Sequence, residues 1–150
     1  MSLTVPWTKL VLCAVALFGG LGGLLADFSD THLLNPMWPP HAKFHNAQTM
    51  SIGMLLALFT LLFAFWRAPE SRARWAAMAV LATLYWGSIV CAQFFPGVGF
   101  FDPQFADREK ILILGHHLTQ SEMGLVLVLS VWALVLPRLL RDESVHADVR

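Results

Sequence analysis

Four long apolar runs alternate with three more polar connections along the chain, and each run predicts a helix that crosses a bilayer. They cover residues 10–26, 47–66, 75–95 and 111–136, about 17–26 positions each. A crossing of about 30 Å of hydrocarbon needs roughly 20 apolar residues in helical form. None of the four has Lys or Arg in its core, and Trp7, Trp66, Trp75, Phe94 and Phe95 mark their ends. Aromatic rings favour that interfacial level. The pattern therefore predicts an all-α fold, an integral membrane bundle of four transmembrane helices forming one membrane domain over residues 1–150. Gly19, Gly20, Gly22 and Gly23 crowd the second half of the first run. Small residues there let two helix backbones approach closely.

The first run also resembles a signal peptide, with Lys9 before it and Gly-Leu-Leu-Ala at its end. Its length, and Leu24 where a cleavage site wants a small residue, favour a retained span. Charge sets the expected orientation. Lys9, Arg67, Arg72, Arg74, Arg138, Arg141 and Arg150 fall on one side, against Lys43, Arg108 and Lys110 on the other. The positive-inside rule then puts both termini in the cytoplasm, with an outer loop at 27–45 and a cytoplasmic tail at 137–150.

Composition supports the same class. Of the 150 residues, 57% are hydrophobic and 13% charged, against about 45–50% and about 25% in soluble domains. A net charge of zero gives no reason to expect nucleic acid. The expected partners are the lipid bilayer and a lipophilic small molecule. Cys13 and Cys91 lie in apolar runs without a CxxC motif, so they read as small hydrophobes.

Chemistry collects in two places. The outer loop and the start of the second span hold Asp27, Asp30, His32, His41 and His45. Pro39-Pro40 ends the extended segment and Pro40 can open a helix, which puts His41 and His45 on one face at i and i+4. The second cluster, His116-His-Leu-Thr-Gln-Ser-Glu122, falls inside the fourth run. Read as one helix, it places Glu122 roughly 9 Å deeper than His116. The topology gathers His32, His41, His45, His116 and His117 at one membrane face, with His146 on the other side. His41 or His45 is then expected within about 8 Å of His116 or His117, near enough to share a metal or substrate.

These positions give the candidate site. His41, His45, His116 and Glu122 are the expected catalytic groups, with His32, Asn35, Trp38, Asn46, His117 and Gln120 around them. His41, His45 and His116 are candidate ligands for a divalent metal ion that would activate water or oxygen. The alternative chemistry is proton transfer between a His and a carboxylate. A haem between His45 and His116 is a weaker option. The reading is a membrane-embedded enzyme with a His/carboxylate site for a lipophilic small molecule at the outer interface. Its rival is a non-enzymatic metal, ion or small-molecule carrier, or a structural subunit. No phosphate-binding loop, nucleophile elbow or HExxH motif is present.

The string Thr31-His32-Leu-Leu-Asn35-Pro36-Met-Trp38-Pro39-Pro40-His41-Ala-Lys-Phe44-His45-Asn46 resembles the signature of small four-helix membrane proteins of bacteria and fungi. That resemblance implies fold and membrane location but no reaction. In plan the chain is also similar to the emopamil-binding sterol-isomerase group, and in size to small fungal anthrone oxygenases. Neither shares a motif with it.

Overall fold

A computed structural model describes residues 6–105, 107 and 112–140. Four helices form among them: α1 Trp7–Asp27, α2 Pro40–Phe65, α3 Arg72–Ala92 and α4 Gln120–Leu140. Each is long and apolar enough to cross a membrane. The 21 residues of α1 span about 31 Å.

The helix ends follow local chemistry. Pro40 occupies the first turn of α2, where its missing N–H is no loss, so this helix starts seven residues before its apolar run. Ser71 caps α3 by accepting from Arg74 N at 3.2 Å. That helix stops at Ala92, short of the expected 95, because Pro96 and the left-handed Gly97 (φ 77°) follow.

The fourth run departs most from expectation. Residues 112–119 are not helical. Leu112–Ile113 (β1) pairs antiparallel with His116–His117 (β2) through a turn at Leu114 and Gly115, both at positive φ. The helix begins at Gln120 and continues through Pro137 to Leu140. Thr119 starts it with a reciprocal cap. The Glu122 N–H donates to Thr119 Oγ1 at 3.2 Å, and the Thr119 N–H donates to Glu122 Oε2 at 2.9 Å.

The helices do not pack equally. α1 rests on α2 and α3, α3 on α4 and α2, and α1 touches α4 lightly; the backbones of α2 and α4 stay more than 8 Å apart, Cα to Cα. The α1–α3 pair is thus the diagonal of the bundle, with α2 and α4 at opposite corners. Leu12, Met78, Ala79, Trp86, Val131 and Val135 fill the middle. Trp86 Nε1 donates across the diagonal to the Val15 carbonyl at 3.1 Å. A Cβ on Gly20 would come within 2.9 Å of the Gly53 carbonyl oxygen, so glycine is what lets α1 and α2 close. Large apolar side chains such as Leu25, Phe59, Leu84 and Leu129 point outward, as a hydrocarbon solvent favours. Cys13 is buried, whereas Cys91 is on this outer surface.

One end of the bundle, where α2 turns into α3, is tied by charge. Arg74 is buried and wraps the end of α2. Its Nε donates to the Phe63 carbonyl (2.7 Å), Nη1 to Ala68 (2.6 Å), and Nη2 to Ala64 (3.1 Å) and Trp66 (2.7 Å). Lys9 pairs with Glu70 at 2.5 Å, and Lys9 and Arg138 both lie against the Trp75 ring.

Candidate functional site

The opposite end holds the histidines. Its first connection, 28–39, is folded by its own backbone: Leu33 N–H bonds the Asp27 carbonyl, Leu34 that of Ser29, and Asn35 that of His32. Asn35 closes the turn by accepting from Met37 N–H at 2.9 Å. It is 1% exposed, yet its Nδ2 has no partner among the described residues.

Asp27, the last residue of α1, is the centre of a polar cluster. Its Oδ2 accepts from Asn46 Nδ2 at 2.9 Å, which levels the end of α1 with the second turn of α2. Its Oδ1 faces His32 Nε2 at 3.8 Å. A chain of short contacts fixes the other ring nitrogen. Ser29 Oγ donates its hydrogen to the Ala26 carbonyl at 2.7 Å, so it can only accept from Thr31 Oγ1 at 2.8 Å. Thr31 then has no hydrogen left, and the 2.8 Å contact with His32 Nδ1 requires Nδ1–H. In the neutral ring Nε2 is therefore a lone pair aimed at a carboxylate oxygen. Two acceptors face each other, and only a proton or a donor group between them relieves the conflict. Asn46 Oδ1, also buried, is a further acceptor without a partner among the described residues.

Tyr85 of α3 borders the cluster. Its ring fills the space over Gly19, Gly23 and Gly53, and its hydroxyl lies against Gly23, one helical turn before Asp27. Across the end, Trp38 Nε1 donates to Asp102 Oδ2 at 2.9 Å and joins the first connection to the third. The His32 ring meets Trp38 edge-on, with centroids 5.3 Å apart.

The remaining expected site residues fall into two pairs. His41 and His45 are exposed on the outer face of α2, with their Nε2 atoms 3.0 Å apart. His116 Nε2 lies 3.0 Å from Glu122 Oε1, so both carboxylate oxygens hold the hairpin onto the start of α4. This corrects the helical reading over 112–119; residue 111 lies outside the described residues. Glu122 sits in the first turn rather than below His116, because Gly115 and the Thr119 cap fold the chain back. His117 packs against Phe101 instead, with ring centroids 5.8 Å apart, and Gln120 is exposed. No Cα of α2 comes within 8 Å of one in the hairpin or α4. Among the described residues no three His, Cys, Asp or Glu side chains are grouped to hold a metal ion. The ligand set His41, His45 and His116 is therefore not formed, and neither is the single centre joining both clusters.

The sequence pattern gives His32, Asn35 and Asn46 supporting places and puts Asp27 in the polar loop without a role; it does not single out Tyr85 or Asp102. A signal for Tyr85 existed. It is the one tyrosine of the chain, and it lies within an apolar span.

Fold and site together define a small four-helix protein of membrane type, with a carboxylate–imidazole cluster at one end. The chain belongs to a family of unknown function, DUF6640, which it matches over residues 11–127. No curated protein and no solved structure matches it.

Proposed function

We propose that this chain is a membrane-embedded enzyme that moves a proton on a lipophilic small molecule, at the end of the bundle holding Asp27 and His32. The facing acceptors His32 Nε2 and Asp27 Oδ1, 3.8 Å apart, carry the reading. The Ser29–Thr31 chain holds His32 as a base whose free lone pair points into the cluster. Nε2 takes a proton from a substrate carbon or hydroxyl, and Asp27 stabilises the imidazolium that results. Returning the proton to a neighbouring carbon completes an isomerisation without any electron acceptor. Tyr85 and Asn35 Nδ2 supply donors on the substrate's oxygen. The excess of Lys and Arg toward the other end supports an outer position for this one, with both termini in the cytoplasm, by the positive-inside rule. The expected role of His116 and Glu122 passes to Asp27 and His32, since the former pair is occupied in capping α4.

The test uses detergent-purified protein and a membrane lipid extract in heavy water. Mass spectrometry should find a lipid that gains one deuterium with the wild-type protein. Asp27→Asn and His32→Gln should each slow this by about 100-fold or more, the usual size of a general-base effect. Equal labelling by the wild type and both variants would overturn the assignment.

A further inference from the structure

We propose that His41 and His45 form a two-nitrogen clamp for a divalent copper-type cation, on the outer face of α2 and apart from the Asp27 cluster. Position is the first argument. Asn46 is bonded to Asp27 at the end of α1, so residues 40–45 project up to about 9 Å beyond that level. Both imidazoles are exposed there, on the face of α2 opposite the buried Asn46 and Met50, where water and ions reach them.

Geometry is the second argument. The two Nε2 atoms stand 3.0 Å apart. With metal–nitrogen bonds of about 2.05 Å, that separation subtends about 94° at a shared metal, whereas a tetrahedral ion needs about 3.3 Å. A right angle is the adjacent-ligand angle of a tetragonal site, and nitrogen donors in that geometry select Cu²⁺ most strongly among the first-row divalent ions. Gln48 Oε1 lies 3.2 Å from His45 Nδ1 and accepts from it, so His45 Nε2 accepts from His41 Nε2–H, the proton that a metal ion would displace. Such outer partners orient a metal-binding histidine. Phe44 stacks on His41 (interplanar angle 10°) and meets His45 edge-on (71°), holding both rings in place. Among the described residues no third His, Cys, Asp or Glu joins the pair, so water fills the other positions and the ion stays exchangeable.

The experiment is a Cu²⁺ titration of the tag-free, detergent-purified full chain, read by electron paramagnetic resonance. The wild type should give an axial signal with coupling to two imidazole nitrogens. His41→Ala and His45→Ala should each show one nitrogen and bind at least about 100-fold more weakly. Gln48→Leu should keep both nitrogens but weaken binding about tenfold, as loss of an outer partner does. The residues are exposed, so the variants should unfold at the wild-type temperature. Asp27→Asn should leave copper binding unchanged, which separates this site from the proposed reaction centre. Wild-type affinity in the double variant His41→Ala/His45→Ala, or a third protein nitrogen in the wild-type signal, would overturn the clamp.

Discussion

The two ends of the bundle treat buried polarity in opposite ways. Where α2 meets α3, Arg74 gives four hydrogen bonds to carbonyls, among them those of Phe63 and Ala64, which the last turn of α2 would otherwise leave unpaired. Lys9, Glu70, Arg138 and Trp75 add paired charges around it. Thr8 Oγ1 is the exception there, a buried hydroxyl without a partner among the described residues. At the other end, a neutral His32 ring sets an acceptor against Asp27, and among the described residues Asn35 Nδ2 and Asn46 Oδ1 are buried without a partner. Unsatisfied buried groups cost about 1–3 kcal/mol each. Apart from Thr8, the described polar groups are paired at one end and left open at the other, which is the end of the proposed reaction centre.

The sharpest test is to remove the tie. Arg74→Ala should lower stability by about 3 kcal/mol or more, because several carbonyls lose their only donor in a nearly dry setting. Unfolding followed by circular dichroism in detergent would measure it. Arg74→Lys should fall between, since an ammonium cannot reach four carbonyls with one planar fork. A loss under about 1 kcal/mol in Arg74→Ala would mean that water or lipid takes over these carbonyls. The contrast between the two ends would then fail.

The middle of the bundle is a smaller test. Gly20→Ala puts a methyl group 2.9 Å from the Gly53 carbonyl oxygen and 3.1 Å from Ala57 Cβ. Backbone cannot yield as a side chain does, so α1 and α2 must separate, at a cost of about 1–3 kcal/mol. Gly87→Ala meets nothing within 4 Å and should gain up to about 1 kcal/mol from helix propensity.

The open end should respond with the opposite sign. Asp27→Asn keeps an oxygen to accept from Asn46, and its new amide can donate to the His32 lone pair. Stability should hold or rise by up to about 1 kcal/mol while proton exchange on the substrate is lost. A variant both less stable and fully active would show that Asp27 is a structural carboxylate.

The four spans were legible because hydrophobic length is a property of the chain alone, and α2 opened at the proline that the sequence marked for it. The fourth span was misread at its start because Ile111–Leu114 is as apolar as the helix that follows. Thr119-Gln-Ser-Glu122 carries a capping box that places the start correctly, and Gly115 supplies the turn before it. His41 and His45 were legible as a pair, since i and i+4 are local. The Asp27 cluster was not, because it depends on which turn of α2 packs beside the end of α1. Hydropathy says nothing of that register; Gly20 against Gly53 sets it. Nor does it say that α2 and α4 occupy opposite corners, which keeps the two histidine pairs on separate elements.

The smallest effect expected is at the Trp38–Asp102 bond, which joins the first connection to the third. Trp38 Nε1 donates to Asp102 Oδ2 at 2.9 Å, across 64 residues of sequence. Trp38→Phe keeps most of the ring and its contact with His32 but removes the donor. A half-buried hydrogen bond of this kind contributes about 1 kcal/mol, and here the loss is local, since neither connection carries the core. The unfolding temperature should therefore barely move. Amide hydrogen exchange should quicken up to about fivefold in residues 28–39, the factor that 1 kcal/mol corresponds to, while α1 and α3 stay protected. If exchange in 28–39 is unchanged, the backbone bonds at Leu33, Leu34 and Asn35 hold the loop unaided, and the open end is as self-sufficient as the tied one.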